Sequence, residues 1–178
     1  MSEIMAYLRD FNTTTALIRL ILALILGGAI GFERTKRLKE AGIRTHCIIA
    51  IASCLFMILS KYGFTDLEST AGSFYAGTKG TDPARIAAQI VSGISFLGAG
   101  VIFIRHELIL GLTTAAGLWA AAGVGLTLGI GYYEAAITTA IAIYLILTVL
   151  HCIEVRINKK AKQVELYVEL RKSVFMGT

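Results

Sequence analysis

The chain has little charge. Only 16% of its 178 residues are Asp, Glu, Lys or Arg, against about 25% in soluble domains. It holds one proline and three cysteines, too few for a collagen or a disulfide scaffold. No CxxC pair is present. Cys47, Cys54 and Cys152 each fall in an apolar run, where a free thiol behaves as a small hydrophobe. The histidines His46, His106 and His151 are scattered and form no ligand set. The sequence also lacks a Walker A pattern, HExxH, GxSxG and any carboxylate cluster suited to Mg2+. These absences predict no enzyme activity, no cofactor and no bound metal.

What is present is apolar surface. The hydrophobic fraction is 56% and the mean hydropathy is +0.71. A surplus of this kind excludes disorder, which needs charge in place of apolar bulk. It makes lipid the main solvent and the bilayer the first partner. Five segments carry the surplus: 13–32, 46–64, 85–104, 112–131 and 135–153. The first has the length, about 20 residues, that spans a hydrocarbon core. A cleaved signal is not expected, because Arg9 stands beside Asp10 before it and a strongly basic stretch follows. The connections 105–110 and 131–134 are short, so they predict antiparallel helical hairpins.

Charge sets the orientation. Twelve of the 17 basic residues fall on one side of these spans. They are Arg34, Lys36, Arg37, Lys39 and Arg44, then Arg105, then six in the tail. Arg9, Lys61, Lys79 and Arg85 lie on the other side, and Arg19 lies inside the first span. The net charge of +5 is therefore a topology signal, not a nucleic-acid surface. The expected fold is all-α: a polytopic membrane protein with a compact bundle of five transmembrane helices. The N-terminus is outside and the C-terminus cytoplasmic. Residues 1–12 form an external segment, 13–153 the membrane domain and 154–178 a basic cytoplasmic tail. In the tail, Val164, Leu166, Val168 and Leu170 alternate with polar residues. That pattern fits a strand, but a lone strand does not hold in water. An extended fifth helix is the preferred reading.

Function should lie in the few residues unsuited to lipid. In the third segment Asp82 and Pro83 suit a helix start. At helical spacing Arg85, Ala88, Gln89, Ser92, Ser95, Phe96 and Ala99 share one face. This face either packs another helix or lines a polar path. The fourth segment repeats a small residue every fourth position, at Thr113, Gly117, Ala121, Gly125 and Gly129, and Gly27 and Gly31 form a GxxxG in the first. Both read as close packing. The ridge on segment four is expected to meet the small face of segment three, or to serve a homodimer. Trp119 near mid-depth calls for a hydrogen-bond partner inside the bundle. Arg19 either snorkels outward or pairs with Asp82. Asp82 and Arg85 are one turn apart and can pair locally. Glu33 and Arg44 either pair across the first hairpin or stay solvated.

Three blocks carry a family resemblance: GFERTKRLKEAGIRTH at 31–46, DPARIAAQIVSGISFLGAGVIF at 82–103 and GLTTAAGLWAAAGVGL at 111–126. Over about 16–153 the chain resembles the MgtC/SapB family of bacterial inner-membrane proteins. The resemblance implies a five-helix domain in the bacterial plasma membrane. It also implies a part in adaptation to low magnesium, in acid tolerance and in virulence. The implied mechanism is regulation of membrane ATPases, including the F-type ATP synthase. The motif residues implied are Glu33, Arg34, Gly42 and Arg44; then Asp82, Arg85, Gln89, Ser92, Gly93, Gly98 and Gly100; then Thr113, Thr114, Ala115, Trp119 and Gly123. Ser95 stands where the family usually has glycine, and Leu110 where it usually has a basic residue. Many members continue into a cytoplasmic ACT-like domain, of which 162–172 would be the opening strand.

Two functions are expected to compete. One is a non-enzymatic regulator acting through contacts in the bilayer, with a homodimer and a membrane ATPase as partners and no nucleic acid. The other is a small transporter or channel for a cation such as Mg2+. It would be lined by Gln89, Ser92, Ser95, Thr113 and Thr114, with Asp82 or Glu33 near its mouths.

Overall fold

The computed structural model describes residues 10–63, 84–105 and 108–175; the side chains of 105, 108, 154 and 158–175 are outside that description. Asp82, with Lys79 and the pairings expected of Asp82, lies outside the described residues. The chain contacts form two compact units, Met1–Ile143 and Tyr144–Thr178.

The first unit is built on α1 (Thr13–Lys36), α2 (Ile43–Tyr62), α3 (Ala84–Gly100), α4 (Leu112–Ile130) and the start of α5 (Tyr133–Phe175). Helix α1 starts where the Asn12 amide donates to Thr15 Oγ1 at 2.8 Å, so the buried Thr15 side chain serves the helix start. Helix α4 ends at Gly131, whose φ of +98° is the left-handed stop that favours glycine.

Helix α2 sits between α1 and α4, and glycines set both contacts. A Cβ at Gly27 would lie 2.6 Å from Ala50 Cβ, and one at Gly31 would lie 2.6 Å from Ile43 Cα. On the other side a Cβ at Gly125 would run into the Ala50 carbonyl, and one at Gly129 would lie 2.6 Å from Met57 Cβ. The glycine ridge of α4 therefore packs on α2, not on the small face of α3. Gly27, Gly31, Gly125 and Gly129 are thus all occupied by α2. The reason is room: only Gly lets two backbones approach this closely.

Helix α3 joins the bundle by its apolar stripe. Ile94 is buried with Leu118, Ala121, Ala122, Ala41 and Ile49, and Ile90 packs against that cluster. A Cβ at Gly98 would touch Ala115 Cβ at 3.5 Å, ordinary contact.

Two elements differ from expectation. The third helix stops at Gly100, short of the expected end at Ile104, and its last expected residues instead pair with residues of the 105–110 connection as two short antiparallel strands. Phe103–Arg105 (β1) pairs with Leu108–Leu110 (β2), Phe103 opposite Leu110 and Ile104 opposite Ile109. The sequence there is rich in Ile and Phe, which suit strands. Gly111, at φ +90°, then turns the chain into α4, with no room for a side chain against the Val101 carbonyl.

The second unit continues α5 as a helix to Phe175, so the alternating tail is helical, not a strand. Among the described residues, four helices are long and apolar enough to cross a membrane: Thr13–Lys36, Ile43–Tyr62, Leu112–Ile130 and Tyr133–Ile157. Helix α3, with 17 residues, is shorter than the usual span of about 20.

Candidate functional site

Among the described residues two polar clusters with buried centres tie the bundle together, one at each end of α4. The first joins Arg34 of the first motif block to Thr114 of the third. Arg34, in the last turn of α1, is 3% exposed. Its Nη2 donates to Thr114 Oγ1 at 2.6 Å. The Thr114 hydroxyl in turn donates to Glu40 Oε2 at 2.9 Å. One hydroxyl thus joins α1, the α1–α2 turn and the first turn of α4. A neutral group is suited to this bridge because it accepts from the cation and donates to the carboxylate. The Glu40 carboxyl is held below the usual carboxylate range, first by a hydrogen bond from its own backbone amide and next by Thr114.

Glu33 is buried and pairs with Arg37 one turn on. Of the two readings open for Glu33 and Arg44, the pair across the hairpin is not formed, and solvation holds for Arg44 but not for the buried Glu33. The i,i+4 position on the same helix is nearer, and Arg44 is exposed. Thr35 closes the turn: its hydroxyl accepts from the Ile43 amide at 2.8 Å and donates to the Gly31 carbonyl at 3.0 Å.

His46 lies wholly inside this cluster. Its Nδ1 is 2.8 Å from the Gly42 carbonyl, so Nδ1 carries the hydrogen. Its Nε2 points at Gly117, where a Cβ would come within 3.3 Å. His46 Nε2 and Arg34 Nε are buried with no hydrogen-bond partner among the described residues.

The second cluster centres on Arg19. It neither snorkels nor is it exposed: its relative accessibility is 0%. Nε donates to the Tyr133 hydroxyl at 3.2 Å, and Nη1 to the Tyr62 hydroxyl at 3.3 Å and the Gly129 carbonyl at 3.0 Å. A guanidinium there meets the carbonyls that α4 leaves free at its C-terminal end. Lys61 adds a bond to the Ile130 carbonyl at 3.0 Å. Phe11 stacks on Tyr62 with centroids 4.1 Å apart.

The polar face of α3 is turned away from both clusters. Arg85, Gln89, Ser92 and Ser95 are exposed, and Ser95 Oγ donates to the Val91 carbonyl of its own helix at 2.9 Å. Thr113 is exposed as well, while Thr114 is buried. Gln89, Ser92, Ser95, Thr113 and Thr114 are therefore not gathered round one internal passage. An open groove of about 460 Å3 runs between α2 and α3, lined by Ile48, Ile49, Phe56, Ile86 and Ile90, with Gln89 at its wall. Trp119 is 55% exposed, so its expected place inside the bundle is corrected. The packed side of α4 belongs to its glycines, which leaves a large ring no room there.

Glu33, Arg34 and Thr114 are legible in the sequence as motif residues, while Glu40, Tyr62 and Tyr133, which the structure places against Thr114 and Arg19, and the buried His46 carry no such signal. Arg19, a cation inside a span, is the signal that partners such as Tyr62 and Tyr133 exist.

Residues 20–156 match the sequence profile of the MgtC family. The protein of Escherichia coli K12 named "Putative magnesium transporter YhiD" is 47% identical over 154 residues, 86% of this chain and 69% of that protein. An uncharacterized protein of Haemophilus influenzae is 42% identical over 123 residues, 68% of this chain and 50% of its own length. MgtC of Salmonella typhimurium is 39% identical over 127 residues, 71% of this chain and 48% of that protein. The chain thus spans about half the length of the last two relatives. No solved structure matches. With the profile covering most of the chain and its motif blocks meeting around Thr114, the chain belongs to the MgtC family.

Proposed function

We propose that this chain is a non-enzymatic protein of the bacterial inner membrane that serves magnesium-linked ion homeostasis by contact with other membrane proteins. A membrane ATPase such as the F-type ATP synthase is the proposed partner. Stress and virulence adaptation are the proposed setting, following the family resemblance. The observation that carries this reading is the direction of the α3 polar face. Arg85, Gln89 and Ser92 are exposed, while the contact between α3 and α4 is apolar, made by Ile94, Leu118, Ala121 and Ala122. Polar groups facing hydrocarbon are costly unless a neighbour hydrogen-bonds them. A second copy or a foreign transmembrane helix supplies that neighbour. An ion path would instead need those groups to converge inside.

The proposed topology has five crossings, with the N-terminus outside and the tail in the cytoplasm. The placing of twelve basic residues on one side supports it. Helix α3 is the short crossing, about 25 Å at 1.5 Å per residue.

The alternative is transport of a cation, the role in the name of the YhiD relative. Purified protein in proteoliposomes, loaded with a Mg2+-sensitive dye, separates the two. The expected result is no uptake above empty vesicles. Robust Mg2+ entry without any partner would overturn the regulator reading. A photo-cross-linker at Gln89 should then capture a membrane protein in cells, and one at buried Ala122 should not.

A further inference from the structure

The turn between α1 and α2 keeps a costly feature that the chain itself does not use. Helix α1 ends in a Schellman motif: the Lys39 amide donates to the Arg34 carbonyl at 3.2 Å and the Leu38 amide to the Thr35 carbonyl at 3.1 Å. Leu38 occupies the left-handed position, φ +52°, where glycine is usual. A branched side chain is strained there. Leu38 is also 94% exposed, so no packing within the described residues compensates for the strain or for the exposed apolar surface.

The charges around it are sorted. Both acids of the turn are engaged, Glu33 by Arg37 and Glu40 by Thr114. Arg34 is buried. Lys36, Lys39 and Arg44 remain exposed, with Lys36 Nζ 4.6 Å from the Phe32 ring centre. The outer face of the turn is therefore mainly cationic: Lys36, Lys39 and Arg44, with the one exposed carboxylate of Glu40, surround a projecting leucine. It joins the ends of two apolar helices of spanning length, which places it at the level of the lipid headgroups.

We propose that this turn binds an anionic phospholipid, with Lys36, Lys39 and Arg44 on the headgroup phosphate and Leu38 seated in the acyl boundary. Basic residues beside a span attract anionic lipid, and an apolar residue among them adds the interfacial anchor. The proposal rests on α1 and α2 crossing the membrane. Resistance of every variant to alkaline extraction from membranes checks that separately.

The test follows thermal unfolding of the full chain in a neutral detergent. Added phosphatidylglycerol should raise the midpoint, and phosphatidylcholine should not. Soluble glycerol phosphate at the same concentration should not either; an equal shift from it would assign the site to free phosphate and overturn the lipid reading. The combined variant Lys36→Gln, Lys39→Gln, Arg44→Gln should lose more than half of the phosphatidylglycerol shift. Leu38→Gly relieves the backbone strain, so it should unfold no earlier than the parent without lipid, yet show a smaller lipid shift. A full phosphatidylglycerol shift in both variants, or an equal shift with phosphatidylcholine, would overturn the proposal.

Discussion

Arg34 and Thr114 lie 80 positions apart in the chain and are joined by a 2.6 Å hydrogen bond. That bond, extended by Thr114 to Glu40, fastens the first and third motif blocks of the family to each other. Thr114→Val keeps the shape but removes the hydroxyl. It leaves a buried cation without its partner, and hydrogen bonds to charged groups contribute about 1.5–3 kcal/mol. The variant should unfold earlier by roughly that amount, and Thr114→Ser should stay near the parent. Chemical denaturation in mild detergent measures both.

Gly125 and Gly123 give opposite outcomes for the same change. A Cβ at 125 runs into the Ala50 carbonyl of α2, while one at 123 meets nothing within 4 Å. Backbone cannot yield as a side chain end can. Gly125→Ala should therefore destabilise by about 1–3 kcal/mol, the usual scale of overpacking. Gly123→Ala should be neutral or gain up to about 1 kcal/mol of helix propensity. Equal melting of the two variants would show that the α2–α4 contact is looser than described.

The contrast between these clusters and the sequence has physical reasons. Apolar runs marked α1, α2 and α4 well, because span length is set by the bilayer. The small-residue ridges were readable as packing surfaces, but their partner was not: Gly27 and Gly125 both meet Ala50, and nothing local says that α2 lies between α1 and α4. The polar face of α3 was readable from helical spacing. Its direction was not, since lipid-facing and core-facing surfaces are equally apolar in a membrane protein. Arg19 advertised a need for partners, but Tyr133 is 114 residues away and carries no matching signal. The hairpin at 103–110 was hidden because Val101–Ile104 extends an apolar helix without changing its composition.

Arg19→Lys tests the other cluster. The guanidinium reaches Tyr62, Tyr133 and Gly129 at once, with a planar fork that a single ammonium lacks. The shorter side chain leaves part of this set unmet, and a buried polar group without its partner costs about 1–3 kcal/mol. Tyr133→Phe removes the hydroxyl that accepts from Arg19 Nε and should cost about 1 kcal/mol. The order Arg19→Lys below Tyr133→Phe below parent in unfolding midpoint is the expected result; a reversed order counts against the geometry.

Acid should loosen the Thr114 bridge in a defined direction. Glu40 has a lowered pKa in the folded chain, against about 4.3 for a free glutamate. A depressed folded pKa gives stability that is present above the unfolded value and lost as pH falls through the folded one. The difference in midpoint between the parent and Glu40→Gln should therefore be constant near neutrality and shrink below about pH 4. A difference that grows on acidification would reverse the sign and remove Glu40 from the bridge. The effect is modest, because Glu40 is exposed and solvent screens it.

Trp119 reports on where α4 lies. It is the one tryptophan of the chain, so intrinsic tryptophan emission is its alone. It is 55% exposed and sits near the middle of Leu112–Ile130, a helix of spanning length. If that helix crosses a bilayer, the exposed ring faces acyl chains and not water. Its emission in vesicles should then be blue-shifted from that of tryptophan in buffer. Lipids brominated deep in the acyl chain should quench it more than lipids brominated near the headgroup, and aqueous iodide should hardly quench it. Strong quenching by iodide would put this face of α4 in water and withdraw it from the set of spans.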